Sequence, residues 1–342
     1  MSAKALCGAD HPIRAPLGRR CNPTIGSRRQ IARPELARSP GRDSPGGPLW
    51  LDTDRWTCLT SQRFQADRCA MSLQPEAVRA FEHSGWQRAA SSYGNSFAHA
   101  TAPFIAPLLG AAEISPGQHV LDVACGPGYL AAAAAGRGAT AYGLDFSAEM
   151  VGIARSIYPE IVVSEGDAED LPYPDATFHA VVSSFGIHHV PRPELALAEC
   201  KRVLKPGGRI AFTVWATPEE NIAWSLVFDA IARHGNRSAA GVPPPGALNR
   251  IDQCVRALEA AGFVDRSAEI VRAEWYLPNA DALIAALSAG TVRMAALIAA
   301  QEPSALAAIA GDIDSQAERF RRDQNLAIPI AAVLARGRNA VD

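Results

Sequence analysis

Residues 119–131, HVLDVACGPGYLA, constrain the fold more than any other stretch of this chain. An apolar run of strand length leads into Gly126-Pro127-Gly128 and then into an alanine-rich segment with strong helix propensity. Strand, glycine turn and helix in that order open a βαβ unit, whose parallel strands are covered by helices. The pattern recurs. Short apolar runs at 119–124, 139–144, 160–164, 178–183 and 208–214 are bounded by Gly, Pro and Asp and separated by helical segments. Such alternation predicts an α/β fold with a doubly wound parallel sheet. Ligands of these sheets bind at the carboxyl ends of the strands, where the strand order reverses. The polar residues fall at those ends: Asp122 to Gly128, Asp145, Gly166-Asp167-Ala168, and Ser184 to His189.

The spacing Gly126-x-Gly128-x-x-Ala131 fits the turn that grips a dinucleotide pyrophosphate, so a nicotinamide cofactor is one reading. Two residues oppose it. Pro127 removes a backbone donor that a phosphate would use, and Asp122 places a carboxylate where a pyrophosphate would be repelled. A ligand bearing an ammonium group would be attracted there instead. Asp145 is placed to accept from both hydroxyls of a ribose, and Asp167 from an exocyclic adenine amine, with Ala168 leaving room for the ring. Ammonium, ribose and adenine in sequence describe S-adenosylmethionine.

The segments VLDVACGPG, GLDFSAEMV and EGDAEDLPYPDATFHAVVSSFGIHHVPRPELALAECKRVLKPGGRIAFTVW together resemble the class I S-adenosylmethionine-dependent methyltransferases. SFG at 184–186 and RVLKPGGR at 202–209 are similar to the small-molecule branch that contains the menaquinone and ubiquinone C-methyltransferases. The likeness covers about residues 100–220, and WQRAASSY at 86–93 resembles the helix that closes over the cofactor in such enzymes. It implies a Rossmann-like, seven-stranded sheet with an antiparallel last strand. It implies cofactor contacts at Asp122, Ala124, Gly126, Gly128, Asp145, Phe146, Asp167, Ala168 and Ser184, with Tyr93 near the methionine end. One departure matters: IHHVPR at 187–192 stands where the quinone enzymes usually show an Arg-Asn pair, so a quinone acceptor is not implied.

The expected activity is methyl transfer to a small, hydrophobic or aromatic acceptor by in-line displacement, at oxygen, carbon or nitrogen. A nicotinamide-dependent oxidoreductase and a non-catalytic S-adenosylmethionine-binding protein are the alternatives. If the acceptor needs a general base, His188 or His189 is the candidate, followed by Tyr93. Being adjacent, the two histidines point in different directions and at most one faces the substrate. No Cys, Asp or Glu lies at ligand spacing from them, so no metal site is expected. Cys200 shares the spacing of a core face with Leu197 and Leu204, and Cys125 is expected as a small filler beside the loop. Trp215, Trp224, Trp275 and Tyr276 are candidates for lining an apolar acceptor pocket.

Residues 1–70 differ from the rest. They hold a charge balance of +6, dominated by arginine, against −8 for the remainder, and Pro, Gly, Ser and Arg fill stretches such as RSPGRDSPGGP. They are expected to be a disordered extension, with Met71 an alternative start. Residues 71–342 are then one domain: lid helices over 73–110, a cofactor-binding core over 115–217, and helical cap segments with the final strands over 218–342. The acidic balance and lack of basic runs after residue 71 argue against a nucleic-acid partner. No uncharged apolar run reaches the roughly 20 residues of a membrane span, and the scattered cysteines suit a reducing, cytoplasmic setting. The oligomeric state is not legible.

Overall fold

The computed structural model describes residues 74–240 and 248–341; the extension expected over 1–70 and the centre of the 239–249 loop lie outside the described residues. Two segments precede the sheet. Helix α1 (Pro75–Tyr93) has proline in its first turn, where the missing N–H costs nothing. A short helix α2 (Ala98–Thr101), a 3₁₀ turn (Ala102–Phe104) and α3 (Ile105–Ala111) follow.

The sheet then begins with β1 (His119–Val123), α4 (Tyr129–Ala135), β2 (Thr140–Asp145), α5 (Ala148–Ile157) and β3 (Val162–Glu165). The chain returns to the other side of β1 with β4 (Phe178–Ser184), a 3₁₀ turn (Ile187–His189), α6 (Pro193–Val203) and β5 (Leu204–Trp215). After α7 (Ile222–His234) and α8 (Ile251–Ala260) come β6 (Val264–Leu277) and three helices, α9 (Ala280–Gly290), α10 (Arg293–Ala299) and α11 (Pro303–Ala317). The two-residue β7 (Arg321–Arg322) and the long β8 (Asn325–Arg338) close the chain.

The strand order is β3-β2-β1-β4-β5-β8-β6, with β7 pairing on β8 as a short eighth strand. From β3 to β5 neighbouring strands are parallel, whereas β8 runs antiparallel to both β5 and β6. The α/β class, the mostly parallel sheet and the antiparallel final strand therefore stand as expected. Strand order reverses between β1 and β4, and this opens a crevice above their carboxyl ends.

Helices α3, α4 and α5 cover one face of the sheet around Leu109, Leu130, Val151 and Val182, while α6 and α8 cover the other around Leu197, Cys200, Leu258 and Phe212. A third apolar cluster joins α7, α9 and α11 to Phe97, Trp275 and Ile328. The LKPGG segment, 204–208, leads into the apolar run at 208–214. It joins the ladder: pairing passes from Phe178 opposite Leu204 to Ala180 opposite Arg209, with a bulge between. Asn339 clasps that bulge, accepting from the Gly207 N–H at 3.1 Å and donating to the Gly208 carbonyl at 2.8 Å. No single described helix is long and apolar enough to cross a membrane.

Candidate active site

The crevice between β1 and β4 leads into a cavity walled by the strand ends and by α1. Of the expected contacts, Tyr93, Asp122, Ala124, Gly126, Asp145, Phe146, Asp167, Ala168 and Ser184 line it. Gly128 and His188 are not in its wall, whereas His189 is.

The loop after β1 is shaped by left-handed backbone at Ala124 (φ 57°), Gly126 (φ 52°) and Gly128 (φ 85°). The two glycines serve different ends. A Cβ at Gly126 would meet nothing nearer than the Met150 sulfur at 4.0 Å, so this glycine presents open backbone to the cavity. A Cβ at Gly128 would press on Ile161 at 3.0 Å and Ala154 at 3.2 Å, so this glycine lets α4 start against α5. Cys125 sits on Gly143 of β2, where a Cβ would lie 2.8 Å from its sulfur; the thiol is buried and burial pushes its pKa up, consistent with a filler.

The donors of this loop are already committed. Cys125 N–H donates to the Leu144 carbonyl at 3.0 Å, Gly126 N–H to Asp145 Oδ2 at 2.8 Å, and Gly128 N–H to the Cys125 carbonyl at 3.0 Å. Pro127 has none. A pyrophosphate would find no backbone donor between residues 125 and 128.

Carboxylates dominate here. Asp122 is 1% exposed; its Oδ2 accepts from Ala131 N–H at 3.1 Å, and its Oδ1 is buried with no hydrogen-bond partner among the described residues. Burial, reinforced by the neighbouring Asp145, pushes its pKa well up despite the Ala131 hydrogen bond. Asp145, 5% exposed, accepts from Gly126 and Ser147 N–H groups, and burial lifts its pKa to about 6 against those hydrogen bonds. Two close, buried acids with an orphaned oxygen describe a site completed by a positive group and by hydroxyl donors.

At the third strand end, Asp167 accepts from Glu169 N–H at 2.9 Å and pairs with Arg79 of α1. Arg79 also reaches Glu169 at 2.7 Å. At the fourth, Phe185 is left-handed (φ 56°) and its ring stacks on Trp215, centroids 3.9 Å apart. Gly186 allows this turn to lie against Ala124, whose Cβ would be 2.6 Å from any Cβ added there. Of the aromatic candidates, Trp215 lines the cavity and Trp224 packs behind it at 4.5 Å. Trp275 is 1% exposed in the core, and Tyr276 lies on the surface, donating to Glu274.

His188 is half-buried, its Nδ1 is buried without a hydrogen-bond partner among the described residues, and desolvation, ahead of the neighbouring His189 and Arg293, holds its pKa well down. Its ring is neutral and stands outside the cavity wall. His189 faces the cavity, and its Nδ1 lies 3.0 Å from Glu82 of α1. The sequence does not single out Arg79, Glu82 or Arg293, and Trp86 stands there only as the first residue of WQRAASSY. Their pairings join residues 88 to 211 positions apart, and within α1 they carry no spacing that separates them from surface charges.

Residues 121–212 match the family model of a methyltransferase domain. The matched segment, from β1 to β5 of the mostly parallel α/β sheet, is thus similar to a methyltransferase domain. Among named proteins it is similar to the demethylmenaquinone methyltransferase of Renibacterium salmoninarum, 36% identical over 146 residues, 42% of this chain and 60% of that protein. It is likewise similar to the ubiquinone/menaquinone biosynthesis C-methyltransferase of Rhizobium etli, 36% identical over 144 residues, 38% of this chain and 55% of that one. The matches span less than two thirds of either relative. Among solved structures it is similar to a phosphoethanolamine N-methyltransferase 2 of Haemonchus contortus in complex with S-adenosyl-L-methionine, at 18% identity and a TM-score of 0.44, covering 70% of this chain and 52% of that one.

Proposed function

We propose that this protein is an S-adenosylmethionine-dependent methyltransferase that methylates a small, hydrophobic or aromatic acceptor. The observation that carries the reading is the buried, unpartnered Oδ1 of Asp122 beside a loop with no free donor at 125–128. That pairing favours an ammonium over a pyrophosphate. In this reading Asp122 takes the amino-acid ammonium, Asp145 accepts from the ribose hydroxyls, and Gly126 and Ala124 allow close backbone approach. Phe146, Asp167 and Ala168 hold the adenine end, and Ser184 and Tyr93 bound the sulfonium end. Gly128 supports the loop from behind.

When bound, the cofactor supplies an electrophilic methyl group on a positively charged sulfur. The chain's own contribution is alignment and exclusion of water, worth on the order of 7–11 kcal/mol when reacting atoms are well placed. The stacked Phe185–Trp215 pair suits a flat apolar acceptor. The matched relatives are named for demethylmenaquinone methylation and for ubiquinone/menaquinone biosynthesis, and a ring acceptor is consistent with both names.

Titration calorimetry with S-adenosylhomocysteine and with NAD, followed by transfer of labelled methyl to a panel of phenols, quinols and amines, tests the reading. Binding of S-adenosylhomocysteine and label in a product support it. Binding of NAD alone would turn it toward the oxidoreductase, and binding without transfer toward a non-catalytic role.

A further inference from the structure

Glu82 is a charged residue with no exposure, set in the helix that walls the cavity, and methyl transfer as such does not require it. Its carboxylate is fully engaged. Oε2 accepts from Trp86 Nε1 at 3.1 Å and lies 3.0 Å from His189 Nδ1, while Oε1 accepts from Arg293 Nε at 2.5 Å. Burial alone would favour the protonated acid, but the contacts with His189 and Arg293 hold the pKa down; beside a neutral His189, the permanently charged Arg293 at 2.5 Å still keeps Glu82 a carboxylate. A carboxylate has no proton to give. The proton between it and His189 therefore belongs to Nδ1, which fixes the imidazole tautomer and leaves the Nε2 lone pair without a hydrogen-bond partner among the described residues.

Trp86 holds the ring from the side, edge to face at 5.1 Å, so orientation and tautomer are both set. The charged or titratable groups around His189 are Glu82 on α1, His188 on its own turn and Arg293 on α10. A buried carboxylate, a tautomer-fixed imidazole and a free ring nitrogen on a cavity wall make up the arrangement that activates a hydroxyl.

We propose that Glu82 positions His189 as a general base, and that the acceptor is consequently an aromatic hydroxyl, which must lose a proton on methylation. This rests on the methyltransferase reading above. In the step, the acceptor O–H proton passes to His189 Nε2 as the oxygen attacks the methyl carbon. The new C–O bond forms as the C–S bond breaks, its electron pair returning to sulfur, which becomes a neutral thioether. The imidazolium so formed is stabilised by Glu82 and later gives its proton to water.

The tautomer is read first, in the wild-type protein, by ¹⁵N imidazole NMR near pH 7.5, with His189 assigned from the spectrum of His189→Gln. A protonated Nδ1 and bare Nε2 are expected; a protonated Nε2 overturns the proposal regardless of any activity. Turnover is read with catechol and 1-naphthol as probes and labelled S-adenosylmethionine. Glu82→Gln and His189→Gln should each lower kcat at least about tenfold, within the range a general base contributes, with S-adenosylhomocysteine affinity unchanged. The double variant should be no slower than the slower single. Glu82→Asp should recover part of the loss. Unchanged turnover in both single variants, or losses that multiply, would refute the pairing. A wild type that binds S-adenosylhomocysteine but methylates amines alone would refute the hydroxyl acceptor and leave the methyltransferase reading intact.

Discussion

At the scale of single residues, the site stores an imbalance that binding would relieve. Asp122 and Asp145 are buried acids with raised pKa values, so each destabilises the folded chain when ionised. The sign follows from Asp145. Its folded pKa of about 6 exceeds the ordinary aspartate value of 3.8, so the folded form holds the proton more tightly. The penalty is absent below about pH 4, grows through about pH 6, and is complete above, on the order of 3 kcal/mol. Asp122→Asn should therefore raise the melting temperature of the ligand-free protein at pH 7.5 by about 2 °C or more, while weakening S-adenosylhomocysteine binding at least about tenfold, since a cation loses its counter-charge. Calorimetry and thermal melts together check this; a variant less stable and equally tight would contradict it. The two glycines offer a sharper contrast. Gly128→Ala should cost about 1–3 kcal/mol through strain and the contacts with Ile161 and Ala154. Gly126→Ala should cost less stability and more affinity. The spacing G-x-G placed both glycines in one loop, but the sequence does not say which way an absent side chain would point. That depends on α5, brought up from 26 or more residues away, between Gly128 and Ala154.

At the scale of elements, α1 is the part of the site whose docking is polar. It buries only Glu82, Gly85, Ala89 and Ala90. Gln87 Oε1 accepts from Ser147 Oγ at 2.5 Å and from Glu149 N–H at 3.1 Å, tying α1 to the start of α5. Arg79 ties it to the third strand end, and Glu82 to His189 and α10. Such an element has little apolar area holding it, so its opening free energy is low. Gln87→Ala should speed amide exchange in α1 several-fold at unchanged global stability, and S-adenosylhomocysteine should slow it in the wild type. Exchange in α1 that ignores both would show a rigidly fixed wall. The strands were legible because burial on two faces demands uninterrupted apolar runs. α1 was legible as part of the lid helices read over 73–110, yet its contribution to the site was not, since tethers spanning 60 and 107 positions leave no local trace.

At the scale of the whole molecule, ligand and proton compete for one crevice. A bound cation should lower the affinity of both acids, Asp122 and Asp145, for their protons, so binding is expected to release protons around pH 6, where Asp145 titrates. The release should appear as a dependence of the calorimetric heat on the ionisation enthalpy of the buffer, and it should fall in Asp122→Asn, which removes one of the two acids. At a ligand concentration about 100 times Kd the folded state gains about 2.7 kcal/mol, a gain that shrinks as the pH falls through about 6. No dependence on buffer at pH 6 would mean that Asp145 is already ionised before binding. The order of strands carries a different consequence. The last described strand, β8, lies inside the sheet and is the only bridge between β5 and β6. During synthesis, β6 and the helices behind it leave the ribosome with no neighbour to pair with, and stay so until residues 325–338 follow. A chain stalled or cleaved before Asn325 would expose two unpaired strand edges at once, making it a target for chaperones and proteases even though every residue of the cavity had already been made.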